Sequence, residues 1–258
     1  MKRFTIACIA ALLFSAPFST VTAKNPKPLR ITVMTYNVQA GKRLPTEKYA
    51  EFIKKYDPDF VAVQEIDYMT KRFKKEDFLG DLAGLTGMYF AYGPSMYYSE
   101  GQYGVGLLSK TPLLSSRVFC LPQPEGSYEP RVAVSAVAEV KKGMPVRFTS
   151  THLDLPTQEI RRAQVEALTK WLSGDEIPSI LAGDFNATPD DASIKAALGS
   201  WHKMCGDDPT YPETSPKKKI DYILAKGKGT WKTVSYERVV DSPLSDHCPV
   251  IVTLEYTE

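Results

Sequence analysis

The chain has 258 residues, of which 43% are hydrophobic and 24% are charged, which is enough for one large domain with a substantial core or for two small ones. Its 32 basic residues exceed its 30 acidic residues only through Lys2 and Arg3, so the chain after residue 23 is close to neutral. A dedicated binder of long duplex nucleic acid usually carries an evident basic excess, which this chain lacks, although a local basic face is still compatible with neutrality.

The first 23 residues have the pattern of a secretory signal peptide. Lys2 and Arg3 form a basic start, residues 4–17 are largely apolar, and Val21-Thr22-Ala23 fits a small-residue cleavage site. The alternative is a buried or membrane helix, but the apolar stretch is short for a membrane span, and no later segment is long and apolar enough to cross a bilayer. We therefore expect a secreted or periplasmic protein whose mature chain begins near Lys24.

Strands and helices alternate in the first half of the remaining chain, and strands dominate the second half. In chain order we predict a strand at 29–38, a helix at 46–56, a strand at 60–66, a helix at 76–85, strands at 103–108, 131–140 and 146–153, a helix at 157–172, a strand at 177–182, a helix at 190–198, and strands at 220–225, 232–240 and 249–256. No repeat, low-complexity tract or long linker divides this pattern, so residues 24–258 are expected to form a single domain.

This order of elements predicts the α/β class. Helices occur in both halves, and the strands are of both the alternating and the continuously apolar type, which favours two sheets packed face to face with helices outside. A single doubly wound sheet is the competing architecture. It fits less well, because too many strands follow one another in the second half.

Polar side chains stand at the tips of six predicted strands. A protein normally avoids leaving carboxylates, amides and imidazoles at the edge of its core. Each of these residues alone has a simple structural explanation, such as a turn, a solvated charge or a helix cap. Together, in corresponding positions, they indicate a functional site, and they are Asn37, Glu65, His152, Asp184 with Asn186, Asp221, and Asp246 with His247.

The chemistry that suits these residues is hydrolysis of a phosphate ester. Mg²⁺ and similar hard cations prefer oxygen ligands, and no Cys/His set argues for zinc. Candidate oxygen ligands are the carboxylates of Glu65, Asp184 and Asp246 and the amide oxygens of Asn37 or Asn186. The sequence therefore indicates a site for Mg²⁺, with Mn²⁺ as an alternative.

Two histidines and an arginine supply the other functions that such a reaction needs. His247 is the candidate base that activates water, and Asp221 is the acid that orients its imidazole. His152 and Arg131 are candidates for contacting phosphate oxygens where charge develops. For Arg131, a surface ion pair is an equally good interpretation.

The motifs TYNV, QE, GVGLLSK, THLD, GDFN, IDYIL and SDHCPV, in this order, resemble those of the endonuclease/exonuclease/phosphatase superfamily. Its members include deoxyribonuclease-I-like nucleases, apurinic endonucleases, bacterial sphingomyelinases, inositol polyphosphate 5-phosphatases and deadenylases. The resemblance runs from about Leu29 to Glu255, and GDFN followed by SDH is its most specific part. It implies a four-layer α/β sandwich of the DNase I type, with two packed mixed β-sheets flanked by helices and the site at one edge.

The resemblance also implies roles for individual residues. Glu65 resembles the principal metal carboxylate, with Asn37 beside it and Asp246 as a further metal or water ligand. Asp184 and Asn186 resemble the pair that positions the attacking water and the phosphate.

The two histidines of the motifs have counterparts in the family as well. Asp221 and His247 resemble the acid–imidazole pair. His152 resembles the second histidine of the nuclease and sphingomyelinase branches, which apurinic endonucleases generally lack. This difference, together with the export signal, argues against an apurinic-site repair role.

Other motifs have two interpretations each. Tyr103 is a candidate substrate contact, and it belongs to an aromatic cluster that either lines a cleft or packs a hairpin; the cluster is Tyr89, Phe90, Tyr92, Tyr97, Tyr98 and Tyr103. Residues 217–219 are three lysines that either steer an anionic substrate or form a solvated loop. Arg161 and Gln164, one helical turn apart, are expected to pack or to pair at the surface.

The sequence as a whole predicts an exported Mg²⁺-dependent phosphodiesterase, such as a nuclease, that acts as a monomer. The alternatives are a phosphomonoesterase for sugar or inositol phosphates, a sphingomyelinase-like lipid phosphodiesterase, and a binding module that has lost activity. Such a module would be expected to lack Glu65, Asp184 or His247, and all three are present. The odd number of cysteines after residue 23 leaves at least one thiol without an intramolecular partner.

Overall fold

A computed structural model of the chain describes residues 28–174, 176–240 and 242–258. The predicted signal peptide, residues 1–23, lies outside the described residues. None of the described helices has both the length and the hydropathy that a membrane crossing requires.

The described residues form twelve strands and four α-helices. The strands are β1 Leu29–Asn37, β2 Phe60–Tyr68, β3 Tyr89–Tyr98, β4 Gly101–Ser109, β5 Leu113–Cys120, β6 Val132–Lys141, β7 Met144–His152, β8 Ser179–Asp184, β9 His202–Lys203, β10 Asp221–Lys226, β11 Thr230–Arg238 and β12 Val250–Thr257. The helices are α1 Thr46–Tyr56, α2 Phe78–Thr86, α3 Gln158–Trp171 and α4 Ala192–Leu198.

The strands make two six-stranded sheets. The first sheet has the order β11-β12-β1-β2-β4-β3, and the second has the order β5-β6-β7-β8-β10-β9. Each sheet is mixed, because β1 pairs with β2 and β7 pairs with β8 in parallel while the other pairs are antiparallel.

Alternating side chains of β1 show how the layers form. Ile31 and Val33 belong to the core cluster between the two sheets, whereas Met34 and Tyr36 belong to the cluster under α1 and α2. From Val33 to Asn37 the strand is covered on both faces, and every residue in this stretch is buried. With α3 and α4 contributing to the core of the second sheet, the molecule is the four-layer α/β sandwich that the sequence predicts.

All thirteen predicted elements occur with shifts of a few residues at their ends, and three strands are additional. The aromatic cluster of residues 89–103 lies on the β3–β4 hairpin. This agrees with the interpretation that these side chains pack a hairpin. β5 was not predicted, because it is an edge strand with mostly exposed side chains and therefore lacks a buried face that would impose alternation. The two-residue β9 is too short to leave a pattern.

The topology places the predicted strand tips at one edge of the sandwich. β1, β2, β7 and β8 end at this edge, and β10 and β12 begin there because they run antiparallel to β8 and β1. Glu65 lies within β2, three residues before its end, and the residues at or beside the other tips are Asn37, His152, Asp184, Asn186, Asp221, Asp246 and His247. This edge is therefore the candidate functional site.

Candidate active site

The buried carboxylate of Asp184 is the centre of the site. Asp184 is 1% exposed, and its Oδ1 accepts a hydrogen bond of 2.8 Å from the backbone N–H of Asn186. Its Oδ2 lies 3.1 Å from Nδ2 of Asn37, 3.4 Å from Nε2 of His152 and 3.7 Å from Nε2 of His247. Side chains from three separate segments thus converge on one oxygen atom of Asp184, and a backbone N–H binds the other.

His247 is held by the acid that the sequence pairs with it. Its Nδ1 lies 3.0 Å from Oδ2 and 3.2 Å from Oδ1 of Asp221. The same Oδ2 accepts a hydrogen bond of 2.5 Å from the hydroxyl of Thr210. Asp221 therefore fixes the ring so that its Nε2 faces Asp184.

Electrostatics favour a positive charge on His247. Burial opposes protonation, but the nearby carboxylates of Asp221 and Asp184 outweigh it and raise the pKa of His247 above its usual value. Burial also raises the pKa of Asp184, although His247 acts in the opposite direction. Without a bound cation, the carboxylates of Asp221 and Asp184 therefore favour the imidazolium form of His247, and the carboxylate of Asp184 binds a proton more readily than an exposed aspartate does.

Glu65 reaches the site through an irregularity in β2. The register of β2 against β4 shifts between Val63 and Ile66, and Glu65 itself has a left-handed φ of 58°. A bulge of this kind re-aims a side chain, and a non-glycine residue in this conformation stores strain that is typical of functional positions. Oε1 of Glu65 accepts a 3.1 Å hydrogen bond from Nδ2 of Asn37.

Asn37 links two acidic groups. Its Nδ2 donates to both Glu65 and Asp184, each at 3.1 Å, and its Oδ1 accepts from the backbone N–H of Gln39. In this arrangement the amide acts as a donor to the two predicted cation ligands. The two carboxylates are therefore neighbours, and their like charges favour a cation between or beside them.

Asp246 is oriented by a residue that the sequence analysis did not identify. Nε2 of Gln39 donates a 2.9 Å hydrogen bond to Oδ2 of Asp246. Oε1 of Gln39 accepts from Nε of Arg43 at 2.8 Å, and Arg43 is ion-paired with Glu213 at 2.7 Å. The available signal was the position of Gln39 directly after the TYNV motif.

The donor chemistry of the site fits a hard divalent cation. Glu65, Asp184 and Asp246 offer carboxylate oxygens, which suit Mg²⁺ or Mn²⁺. A second, tighter group consists of Asp184, Asp221 and His247, whose potential ligand atoms lie within 4.8 Å of one another. Because Asp221 already binds His247 and a threonine hydroxyl, this second group is better suited to handling protons than to holding a metal.

Arg131 and His152 contact each other at the site. Arg131 is 7% exposed, and its Nη1 lies 2.9 Å from Nδ1 of His152. Arg131 does form an ion pair, with Glu129 at 3.0 Å, but this pair is not at the surface. Burial, assisted by the charges of Arg131 and His247, lowers the pKa of His152 well below its usual value.

A cavity of about 750 Å³ opens over these residues. Tyr103, which is 8% exposed, contributes to its wall together with other aromatic and apolar side chains, namely Met96, Tyr98, Tyr128, Leu155 and Tyr211. The arginines that line it have acidic partners: Arg72 with Asp67 at 2.5 Å, Arg131 with Glu129 at 3.0 Å and Arg161 with Asp191 at 2.6 Å. The cavity is therefore polar and partly aromatic without a strong excess of positive charge.

The structure also distinguishes between the alternative interpretations of two further motifs, the three lysines at 217–219 and the pair Arg161 and Gln164. Among the three lysines, Lys218 is exposed and lines the cavity, whereas Lys219 is buried over the ring of Tyr222. Arg161 and Gln164 are both buried, and Oε1 of Gln164 accepts a hydrogen bond from a backbone N–H at the end of β7. Both residues are therefore buried, as the packing interpretation expects, and Arg161 also lines the cavity.

Comparisons with known proteins agree with this geometry. The model of the Endonuclease/Exonuclease/phosphatase family matches residues 34–247. The chain is 23% identical over 240 residues to the uncharacterized protein YbhP of Escherichia coli strain K12, covering 84% of this chain and 93% of that protein.

Solved structures share the fold. An endonuclease/exonuclease/phosphatase from Bacteroides vulgatus has a TM-score of 0.73 at 20% identity, covering 88% of this chain and 99% of that chain. The mannosyl-6-phosphatase of Bacteroides thetaiotaomicron has a TM-score of 0.68 at 18% identity, covering 87% and 99%. The match of the family model over most of the chain establishes that this protein belongs to the endonuclease/exonuclease/phosphatase family, whose members hydrolyse phosphoester bonds.

Proposed function

We propose that the protein is an exported, divalent-metal-dependent phosphoesterase that hydrolyses a phosphodiester by in-line attack of water. The observation that carries this proposal is the convergence of Asn37, His152 and His247 on the buried carboxylate of Asp184. Such a group of polar side chains is costly to bury unless it is used. Glu65, Asp184 and His247 are all present, which supports an enzyme over an inactive binding module.

Asp184 and His247 have different roles in the proposed reaction: Asp184 accepts a proton, and His247 stabilises negative charge. Asp184 accepts the proton of the attacking water, since burial makes its carboxylate more basic than usual. His247, held by Asp221, places a positively charged N–H beside Asp184, where negative charge develops on the phosphoryl group. His247 thus contributes as a cation, whereas the sequence analysis proposed it as the base.

A cation would be held by Glu65 and Asp246, with Asp184 and Asn37 beside them. When bound, Mg²⁺ would neutralise negative charge on the phosphate and on the leaving oxygen. Asn37 keeps Glu65 and Asp184 at hydrogen-bond distance from one nitrogen atom. Gln39 holds one oxygen of Asp246.

The charge and lining of the cavity support a second candidate function, that of a phosphomonoesterase for sugar phosphates. Its arginines are balanced by acidic partners, whereas long nucleic acids are bound by an excess of positive charge. Its aromatic wall suits a small organic group next to the phosphate. The structural similarity to a mannosyl-6-phosphatase supports the same class.

A substrate panel tests both candidates. Bis-p-nitrophenyl phosphate, p-nitrophenyl phosphate, plasmid DNA, sphingomyelin, inositol phosphates and mannose 6-phosphate would be assayed at neutral pH with Mg²⁺, with Mn²⁺ or with EDTA. We expect metal-dependent, EDTA-sensitive hydrolysis of the diester. Hydrolysis of monoesters alone would favour the second candidate, and no hydrolysis of any ester would overturn the proposed function.

Export is tested separately from activity. When the full chain is expressed in a bacterium with a periplasm, we expect the protein in the periplasmic fraction or the medium, with an N-terminus near Lys24. Recovery of the uncleaved chain from the cytoplasm would contradict this part of the proposal. The outcome does not depend on the identity of the substrate.

A further inference from the structure

Asp246 is held at its backbone as well as at its side chain. Its Oδ2 accepts a 2.9 Å hydrogen bond from Nε2 of Gln39, and its carbonyl oxygen accepts one of 2.8 Å from the backbone N–H of Glu213. Gln39 follows β1, whereas Glu213 lies in the loop between β9 and β10. Two segments that are far apart in the sequence therefore hold the same residue.

Arg43 joins these two segments. Its Nε donates a 2.8 Å hydrogen bond to Oε1 of Gln39, and its Nη1 donates one of 2.7 Å to Oε1 of Glu213. Together with the two bonds to Asp246, these contacts form a closed ring of four residues, which we call the Asp246 ring. A break at any one link leaves Asp246 with one holder that is no longer tied to the other.

The ring fixes the orientation of the Gln39 amide. A guanidinium has only donors, so the amide oxygen of Gln39 must face Arg43, and its NH₂ group must then face the carboxylate of Asp246. The backbone of Gln39 has a left-handed φ of 49°, and its N–H donates to Oδ1 of Asn37 at 3.0 Å. A residue with a side chain keeps this conformation only where its surroundings hold it, so the amide extends from a fixed backbone.

The exposure of the Arg43–Glu213 pair shows that its main effect is not on the stability of the fold. The two side chains are 32% and 14% exposed, and ion pairs that solvent reaches contribute little to stability. Groups that orient a metal ligand, in contrast, change metal affinity by about 10- to 100-fold when they are removed. Asp246 is one of the two residues to which we assign the cation.

We propose that Arg43 is a positioning residue that acts through Gln39: by tying Gln39 to Glu213, it keeps the carboxylate of Asp246 oriented for a divalent cation. The effect on the cation rests on the proposed function, whereas the Asp246 ring does not. Arg43 also lines a second cavity of about 1090 Å³ beside the site, so the competing role is direct contact with a substrate.

Magnesium affinity, measured by titration calorimetry, separates these roles without an activity assay. Arg43→Met should raise the Kd of Mg²⁺ by about 10-fold and leave the Tm of the metal-free protein nearly unchanged. In a Gln39→Ala background the same substitution should add less than about 2-fold, because coupled residues are not additive. The control is Arg162→Met, which removes an exposed arginine paired with Glu166 and should change neither quantity.

A second measurement needs no cation. The side-chain NH₂ signals of Gln39 in a proton–nitrogen-15 spectrum are assigned with Gln39→Ala. In the metal-free wild type we expect two well-separated proton signals that exchange slowly with water, because one proton is bonded to a carboxylate. In Arg43→Met they should move to the positions of a solvated glutamine.

Each other result decides the question. An unchanged Kd with a raised KM in Arg43→Met would assign Arg43 to substrate binding and overturn the inference, and so would an undiminished effect in the Gln39→Ala background. If Arg43→Met does not fold, Glu213→Ala opens the ring at its other link, and an unchanged Kd there overturns the inference. A wild type that binds no divalent cation would overturn the proposed function, while the Gln39 signals would still support or exclude the ring.

Discussion

Asp184 is the residue on which the proposed chemistry depends most. Its carboxylate is buried and is surrounded by Asn37, His152 and His247. An asparagine side chain at this position would have nearly the same shape but could not accept the proton of a water molecule. The role of Asp184 is therefore separable from its packing.

We predict that Asp184→Asn lowers kcat by about 10³-fold, within the range for loss of general-base catalysis, while the protein remains folded. The measurement is steady-state kinetics on the best substrate of the panel, with circular dichroism to verify the fold. Turnover within about 3-fold of the wild type would exclude Asp184 as the base.

His247 makes a contribution to stability that depends on pH. Asp221 and Asp184 raise its folded pKa against the opposing effect of burial. A group whose pKa is higher in the folded state stabilises the fold fully below its unfolded pKa, which is about 6.5 for histidine. This stabilisation is lost as the pH rises through the raised folded pKa.

We therefore predict that His247→Gln destabilises the metal-free protein most near pH 6 and progressively less in the alkaline range. The measurement is the free energy of unfolding in urea between pH 6 and pH 10, with His202→Gln as control, because His202 is exposed on β9. A difference between wild type and His247→Gln that is the same at every pH would contradict the prediction.

At the scale of elements, β8 carries Asp184 into the site only because the preceding residue is glycine. A Cβ on Gly183 would lie 2.0 Å from the carbonyl oxygen of Thr151 in the neighbouring β7, and Gly183 has a φ of 157°. The close approach of these backbones fixes the register in which His152 lies opposite Asp184. The glycine of the GDFN motif is therefore structural, while its aspartate is chemical.

We predict that Gly183→Ala destabilises the protein by about 3 kcal/mol or more, since the contact is with backbone that cannot move aside without breaking the β7–β8 pairing. The control is Gly84→Ala in α2, where an added Cβ meets nothing within 4 Å. It should be neutral or stabilise by up to about 1 kcal/mol. Urea unfolding measures both, and equal effects of the two substitutions would refute the assignment.

At the scale of the whole molecule, the predicted cation ligands come from both sheets. Glu65 belongs to β2 in the first sheet and Asp184 to β8 in the second. A cation held by Glu65 and Asp246, beside Asp184, would bind the folded chain and not the unfolded one. It should therefore stabilise the sandwich as a unit.

We predict that Mg²⁺ or Mn²⁺ at about 100 times its Kd stabilises the protein by about 2.7 kcal/mol, which raises Tm by about 5–10 °C for a domain of this size. Calorimetric scans with and without metal measure this shift, and it should disappear in Glu65→Gln. The control Glu166→Gln, at a residue that is 54% exposed, should keep the shift. A Tm that is independent of metal in the wild type would remove the cation from the proposal.

The hydrophobic pattern of the sequence was sufficient to predict elements that have a buried face, and it was insufficient to predict the others. The strands at 177–182 and 220–225 were predictable because they are buried almost throughout. The edge strand β5 was not, since a solvated strand has no constraint on which side chains alternate. Interior elements, which position the site, are therefore the part of the fold that the sequence predicts best.

By itself the sequence determined the family, the α/β class, the order of the interior elements and the polar residues at the strand tips, because motifs and hydrophobic periodicity are local properties. Only the tertiary structure decided which of these residues are partners. Arg131 meets His152 across 21 positions and Gln39 meets Asp246 across 207, and contacts at such separations depend on how the two sheets pack. The raised pKa of His247 likewise follows from its long-range contacts with Asp221 and Asp184, so no local pattern in the sequence could specify it.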